Sequence, residues 1–445
     1  MKIDSPMIGC MAAVATSPSD AIGRTLDRIA YVCLCAFIFV LPWEDTVPLI
    51  GGLVLSRWIG LLAFATTLMR VAVAPNRKKL FALHYGMLAF AGWSGLSIFW
   101  SVDWDSTLAR IGTYLQLLVL AWLVWEVAAT ETRVLGLLQS YVFGASVCSI
   151  GAIANLMMGR SSGQVADPLA TIDTFRYTID GVNPNDLGLI LALSIPMTFY
   201  LRARKTGALT ALLYCLQFVL CVTVILLTGS RGAMLAAIAA LVMFPLTVSK
   251  LPRWQRLASI VMCAAVIVCG VSIVPKETWT RLLNVGSEIS EGTMTHRTQI
   301  WAASVEVFRD HAFLGVGSGG HMAAVANIVG EAWVAHNTFI SVLVELGVIG
   351  ELLLLALLAI ALYCAVGMRN QERLLWVVLL ATWSIGVAGA TWEYRKVTWF
   401  LFSLLAAHAY ARAAQKPRVG YSADRRGSQE TALHAAQTSR RVRYS

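Results

Sequence analysis

The sequence predicts an all-α polytopic membrane protein with about twelve transmembrane helices and one large helical loop on the external side. Three observations predict it. The 445 residues are 58% hydrophobic and only 13% charged, whereas soluble chains are about half apolar and about a quarter charged. Apolar runs recur at close to the roughly 20 residues needed to cross the hydrocarbon core. Lysine and arginine gather in alternate connecting loops, as expected when basic residues are retained in the cytoplasm.

Taken in order, spans are expected near 29–42, 47–74, 80–101, 107–128, 133–158, 187–202, 206–228, 232–249, 257–275, 338–367, 374–391 and 397–413. Arg57 interrupts the second, which reads as a short re-entrant piece followed by a helix. Between spans, "RKK" (77–79), "RARK" (202–205), "KLPRWQR" (250–256) and "RNQER" (369–373) fall on one side, together with Lys2, Arg24, Arg28 and the tail. That side is the cytoplasm. Opposite loops open with acidic "WEDT" (43–46) and "SVDWDS" (101–106). The chain thus divides into a cytoplasmic N-terminus (1–28), nine spans (29–275), a large external loop (276–337), three spans (338–413) and a basic tail (414–445) expected to be disordered. The formal net charge of +10 is mostly topological, so the tail reads as a lipid-headgroup contact rather than a nucleic-acid site.

Other classes are excluded by what their chemistry needs. Eight of the nine cysteines lie in apolar runs, where cysteine is a small hydrophobe, and no C-x-x-C pair exists. Cys10 in "MIGC" lacks the long apolar stretch before it that a cleaved signal requires. "GVGSGG" (315–320) matches G-x-G-x-x-G without the βαβ unit that a dinucleotide site demands, and reads as a flexible turn. "DWD" (103–105) reads as a helix N-cap rather than a metal motif. The external histidines His296, His311, His321 and His336 lack zinc-ligand spacing. No metal and no cofactor are expected.

Several basic residues break the charge rule by falling outside: Arg160, Arg176, Arg231, Lys276, Arg281, Arg297, Arg309, Arg395 and Lys396. Arginine has the planar fork that suits phosphate oxygens, so the external face looks built for a lipid phosphate or pyrophosphate. "TGSRGA" (228–233) sets Arg231 between two glycines at a span boundary; an anion site and a snorkelling arginine are the two readings. "NPND" (183–186) is either ordinary cap chemistry or a source of hydrogen bonds from Asn185 to a sugar or phosphate. "THRTQIWAASVEVFRDH" (295–311), with Ile300, Ala303, Val307 and Phe308 at helical spacing, reads as an amphipathic surface helix. His336 stands at the mouth of span ten and has the chemistry of a general base. Glu345, nine residues on at about 100° each, faces the other way and is expected to pair with another span.

In their order along the chain, "SIFWSVDWDSTLAR" (97–110), "NPND" (183–186), "TGSRGA" (228–233), "RTQIW" (297–301), "DHAFLGVGSGG" (310–320) and "HNTFISVLVELGVIG" (336–350) resemble the O-antigen ligase family, within the wider group of O-antigen polymerases and pilin O-glycosyltransferases. The resemblance covers nearly the whole chain. Relatives often carry proline where "HAF" has alanine, which puts the local turn in doubt. The resemblance implies an inner-membrane enzyme that moves O-antigen polysaccharide from undecaprenyl pyrophosphate to lipid A–core oligosaccharide at the periplasmic face. It implies an inverting, metal-independent transfer, with Arg231, Arg297 and His336 matching the family's essential residues. Asn337, Asn185, Arg395 and His296 are the expected substrate contacts. Membrane lipids are the other expected partners, and nucleic acid is not one. An O-antigen polymerase uses the same donor and is the nearest alternative; a twelve-span transporter is disfavoured by the lack of an internal repeat.

Overall fold

The computed structural model describes residues 18–44, 46–47, 54–75, 78–161, 176–204, 207–248, 253–283 and 297–415. Among these residues every long element is a helix: α1 (Pro18–Val40), α2 (Leu55–Val73), α3 (Ala82–Leu96), α4 (Trp104–Val127), α5 (Glu131–Met157), α6 (Pro184–Arg202), α7 (Ala208–Leu227), α8 (Arg231–Leu241), α9 (Met243–Val248), α10 (Arg253–Ile273), α11 (Lys276–Leu283), α12 (Arg297–Asp310), α13 (His321–Val329), α14 (Thr338–Val366), α15 (Asn370–Val387) and α16 (Lys396–Gln415). His296, Cys10 and most of the tail lie outside the described residues.

Among the described residues, six stretches are long and apolar enough to cross a membrane: Ala21–Trp43, Leu55–Val73, Trp104–Val127, Glu131–Met157, Leu209–Leu227 and Thr338–Val366. The expectation of about twelve is not reached on that measure. α6, α10, α15 and α16 hold 19, 21, 18 and 20 residues, roughly 27–32 Å at 1.5 Å per residue. Polar residues within them, such as Asp186, Arg256, Glu372 and Arg412, lower their hydropathy. The eighth expected span is two pieces, α8 and α9. The third ends as a helix at Leu96 and continues as a 3-10 turn over Ser97–Trp100.

α6 sits at the centre. Its residues from Leu187 to Leu201 are all buried, as a helix apolar on every face requires. It packs on α5, α7, α8 and α15, and α16 packs on α4 and α5. Glycines set the tightest crossings: a Cβ at Gly188 would stand 2.4 Å from the Ala233 Cβ on α8, and one at Gly386 would stand 2.2 Å from a Leu189 methyl.

Ion pairs gather where α1, α5 and α15 begin and α2, α4, α6 and α16 end. Arg70 meets Glu126 at 2.8 Å and Asp27 at 3.3 Å, and Arg133 also pairs with Asp27. Glu131 binds Arg204 at 2.6 Å and Arg412 at 3.1 Å, and Glu372 pairs with Arg412. Glu131 and Glu372 with His408 form a group of potential metal ligands. Two arginines already offset the two carboxylates there. The Trp376 indole donates to His408 Nδ1 at 2.9 Å, so the ring proton resides on Nε2 and no lone pair is left for a metal. The group is an ion-pair network that clamps four helices.

The opposite end holds the least regular structure, and α14 is the key to it. Gly347 breaks this helix with φ +67° and ψ −170°. The segment 312–320 enters the break: Val316 N–H donates to Val344 O, Gly317 N–H to Glu345 O, and Val348 N–H to Ala312 O, at 3.0, 2.9 and 2.8 Å. The Trp93 indole donates to Leu346 O at 3.0 Å. A helix opened in this way must find new partners for its carbonyls, and these are the partners.

"GVGSGG" is therefore not the flexible turn its composition predicts. Gly315, Gly317 and Gly319 have φ of +72°, +98° and +83°, and a Cβ at Gly317 would lie 2.5 Å from the Ser101 hydroxyl. The three glycines are needed for close packing under backbone geometry that L-residues rarely adopt.

Candidate functional site

Two of the expected site residues, Arg297 and Asn337, bond to one turn, residues 388–395, between α15 and α16, and a third, Arg231, starts a helix beside it. Gly389 and Gly232 are close enough that a Cβ on the first would stand 3.8 Å from the Cα of the second. This crossing lies one residue from Arg231. Arg297, the first residue of α12, donates to Gly389 O at 3.3 Å. Asn337 Nδ2 donates to Ala388 O at 3.2 Å, and the Thr338 hydroxyl donates to Ala390 O at 2.9 Å. Arg231, Arg297 and Asn337 thus come from three separate elements to one place.

The same turn reaches the start of α6. The Trp392 indole and Arg395 donate to the two oxygens of Asp186, each at 2.7 Å. One residue away, Arg176 donates to Asn185 Oδ1 at 2.7 Å and to Thr228 O at 2.8 Å. Arg176 therefore ties "NPND" to "TGSRGA". It was visible in the sequence only as one more misplaced basic residue.

The elements that begin here are capped from within. Asn183 Oδ1 accepts from Asn185 N–H at 2.8 Å, Ser230 Oγ from Ala233 N–H at 3.4 Å, and Asn337 Oδ1 from Phe339 and Ile340 N–H at 3.0 and 3.1 Å. Asn183, Ser230 and Asn337 are residue types that favour N-caps. Gly229, with φ +57°, turns the chain sharply between α7 and α8. Four N-termini, those of α6, α8, α12 and α14, converge on the C-terminal end of α15. A helix N-terminus carries roughly half a positive charge, so the convergence and the arginines act in the same electrostatic sense.

His336 lies in this field. It has a positive φ of 49°, a conformation uncommon outside glycine, in which asparagine, aspartate and histidine are the enriched side chains. Burial holds its imidazole down at about 4, and the nearby Arg297, Arg176 and His321 push in the same direction. The ring is therefore neutral at neutral pH. His321 is buried, and its pKa is lowered by that burial. It lies 3.0 Å from the Ser304 hydroxyl and 3.2 Å from Trp333 O.

Asn337 is engaged at both ends of its amide, as a cap and as a tie to the 388–395 turn. Arg395 is paired with Asp186 and Lys396 with Glu44, so these two cations are locally neutralised. Asn185 accepts from Arg176. Glu345 does meet another span in the electrostatic sense, facing Arg110 of α4. Its nearest hydrogen bond is to the Gly319 N–H at 2.7 Å. Behind it, Glu393 accepts from Ser341 at 3.2 Å and lies 3.7 Å from Arg110, whose guanidinium stacks 3.4 Å from the Tyr394 ring. Burial and the Glu345 carboxylate push the Glu393 acid above the usual carboxylate range.

The expected helix over 295–311 is α12, with Ile300, Ala303 and Val307 buried and Phe308 half-buried. The "DWD" stretch is an N-cap: Asp103 Oδ1 accepts from Ser106 N–H at 3.1 Å, and these hydrogen bonds hold the Asp103 carboxyl below its usual range.

Residues 216–355 match the family model described as O-Antigen ligase. This stretch, about a third of the chain, is similar to the O-antigen ligase family. The matched stretch runs from within α7 past the break in α14. It contains Arg231, Arg297, His336, Asn337 and Glu345, whereas Asn185, Asp186 and Arg395 lie outside it. The family comprises glycosyltransferase-like enzymes acting on lipid-linked sugars. No curated protein matches the sequence. With its long apolar helices, the protein is a multi-pass membrane protein.

Proposed function

We propose that this protein transfers O-antigen polysaccharide from undecaprenyl pyrophosphate to the lipid A–core oligosaccharide, at the periplasmic face of the bacterial inner membrane. The observation that carries the reading is the convergence of four helix N-termini with Arg176 and Arg297 around a neutral, half-buried histidine, with Arg231 one residue from the Gly232–Gly389 crossing beside them. N-termini and arginines together favour a phosphate anion. A neutral imidazole beside them can take a proton.

In the proposed reaction a core-sugar hydroxyl attacks the anomeric carbon of the donor sugar. The carbon–oxygen bond to pyrophosphate breaks, and undecaprenyl pyrophosphate leaves with the electron pair. His336 takes the hydroxyl proton. Attack from the face opposite the leaving group inverts the anomeric centre. Negative charge grows on the pyrophosphate as the bond breaks, so arginines already in place stabilise the transition state more than the ground state. The glycosyl–pyrophosphate bond carries the driving force, and neither a nucleotide nor a metal enters the scheme.

His336 depressed to about 4 is a weak base before the donor arrives. The donor's pyrophosphate offsets the guanidinium charge of Arg297 and Arg176 and raises the imidazole toward the working pH, where general-base catalysis is most effective. The site thereby couples donor binding to activation of the base.

The test is reconstitution. Purified protein, lipid-linked O-polysaccharide and rough lipopolysaccharide are mixed in excess EDTA, and the polysaccharide is followed by gel mobility and mass. Movement onto lipid A–core supports the reading. Lengthening of the glycan while it stays on the isoprenoid identifies a polymerase and overturns the acceptor assignment.

A further inference from the structure

A cavity of about 140 Å³ lies beside the 388–395 turn, between the end of α1 and the starts of α6 and α16. Its polar wall holds two ion pairs, Asp186 with Arg395 at 2.7 Å and Glu44 with Lys396. Its apolar wall is Leu41, Pro42, Ile190 and Val397. Two carboxylates and two cations leave no formal net charge in the cavity. The arginines at the adjoining helix N-termini form a different environment, which suits a polyanion.

A cavity with this lining fits a neutral polyol. A carboxylate has about four lone-pair sites, and Asp186 commits one bond from each oxygen, to the Trp392 indole and to Arg395. Acceptor capacity remains for sugar hydroxyls. The apolar wall suits the C–H face of a pyranose ring, and the volume suits one ring rather than a chain. The Asp186 backbone adjoins Asn185, which Arg176 holds at 2.7 Å, so the cavity opens one residue from the proposed anion site.

We infer that this cavity is a saccharide subsite that seats one neutral pyranose ring of the glycan substrates next to the pyrophosphate. The inference rests on the transferase reading for its substrate class, but its geometry stands apart from the residues proposed to catalyse transfer.

The experiment uses full-length protein in lipid nanodiscs. A panel of methyl pyranosides (glucoside, galactoside, rhamnoside and N-acetylglucosaminide) is titrated by saturation-transfer NMR, and inorganic pyrophosphate is titrated in parallel. Val182→Phe fills the cavity from its rim, and Asp186→Asn removes one carboxylate charge. The expected result is saturable binding of at least one pyranoside, weakened at least tenfold by either variant, with the pyrophosphate affinity changed less than twofold. Asp186→Asn carries the test should Val182→Phe fail to fold. Absence of saturable pyranoside binding to the wild-type protein overturns the subsite, as does binding that both variants leave intact. If pyranoside binding behaves as expected but the reconstituted protein moves no glycan, the transferase reading fails and the subsite stands. If transfer proceeds and both variants keep the wild-type KM for donor and acceptor, the subsite fails and the transferase reading stands.

Discussion

Replacing Asn337 by alanine removes two structural roles at once, and replacing it by serine removes only one. The Asn337 carbonyl oxygen caps α14 through two N–H groups, and its amide nitrogen ties the helix start to Ala388 O. Losing an N-cap costs about 1 kcal/mol, and losing an ordinary hydrogen bond costs about 1 kcal/mol more. Asn337→Ala is expected to lose about 2 kcal/mol, and Asn337→Ser, which keeps a cap, about 1 kcal/mol. For a chain of 445 residues, about 2 kcal/mol lowers Tm by roughly 2 °C on the globular-protein scale. The activity effect is larger, because the α14 start carries His336 and the turn carries the Arg297 contact. A displacement of about 1 Å in such a site costs on the order of a hundredfold in rate. The assay pairs thermal unfolding in detergent with steady-state transfer kinetics. The expected pattern is a graded Tm, alanine below serine below wild type, with kcat falling and KM for both substrates held. An alanine variant with wild-type Tm and kcat but a raised acceptor KM refutes the positioning role and makes Asn337 a sugar ligand.

Four other outcomes are expected. Because His336 is held down at about 4, its neutral base form persists as pH falls below the ordinary histidine value, so the acid limb of kcat/KM should lie near pH 4; a limb near 6.5 would show that another group titrates. Arg297→Gln should lower transfer at least tenfold, since a charge-assisted hydrogen bond is worth about 1.5–3 kcal/mol, and should move the residual acid limb to higher pH by removing one of the charges that depress His336. Gly347→Ala places a Cβ 2.2 Å from Phe313 O at φ +67°; folded yield by size-exclusion chromatography should collapse, and a well-folded variant would contradict the broken-helix geometry. Glu345→Ala should destabilise more than Glu345→Gln, because glutamine can still accept from the half-buried Gly319 N–H while alanine cannot, a loss of about 1 kcal/mol measurable by thermal unfolding.

The parts of this molecule that were legible in its sequence are those set by local chemistry. Ser106 three residues after Asp103 announces a cap, and Ile300, Ala303 and Val307 at helical spacing announce the buried face of α12. The family-matched stretch and the segments of 20 or so apolar residues are of the same kind. What was hidden depends on contacts far apart in the chain. Gly347 sits in a run that is apolar apart from Glu345 and Glu351, and that run reads as a continuous helix, because the segment that opens it, Ala312 and Phe313, lies more than 30 residues away. The three glycines of "GVGSGG" read as loose when taken alone, and are tight because Ser101, Ser106 and Glu345 surround them. The turn 388–395 carries a recognisable cluster of charge, "WEYRK", but its role follows from Asp186, Gly232 and Asn337, each more than 50 residues away. Likewise Arg395 and Lys396 looked like anion ligands until Asp186 and Glu44 appeared beside them.

The break in α14 has a consequence for how the chain is made. Trp93 donates to Leu346 O across 253 residues of sequence, and Ser94 reaches Ser318 across 224. At a synthesis rate of about 5–20 residues per second, the Leu346 carbonyl emerges roughly 13–50 seconds after Trp93. Throughout that interval α3 is already in place with its indole N–H waiting for a partner. The segment 312–320 likewise precedes the carbonyls it must bind. A ribosome stalled before codon 348 thus leaves every helix up to α13 synthesised but the floor of the site unbuilt.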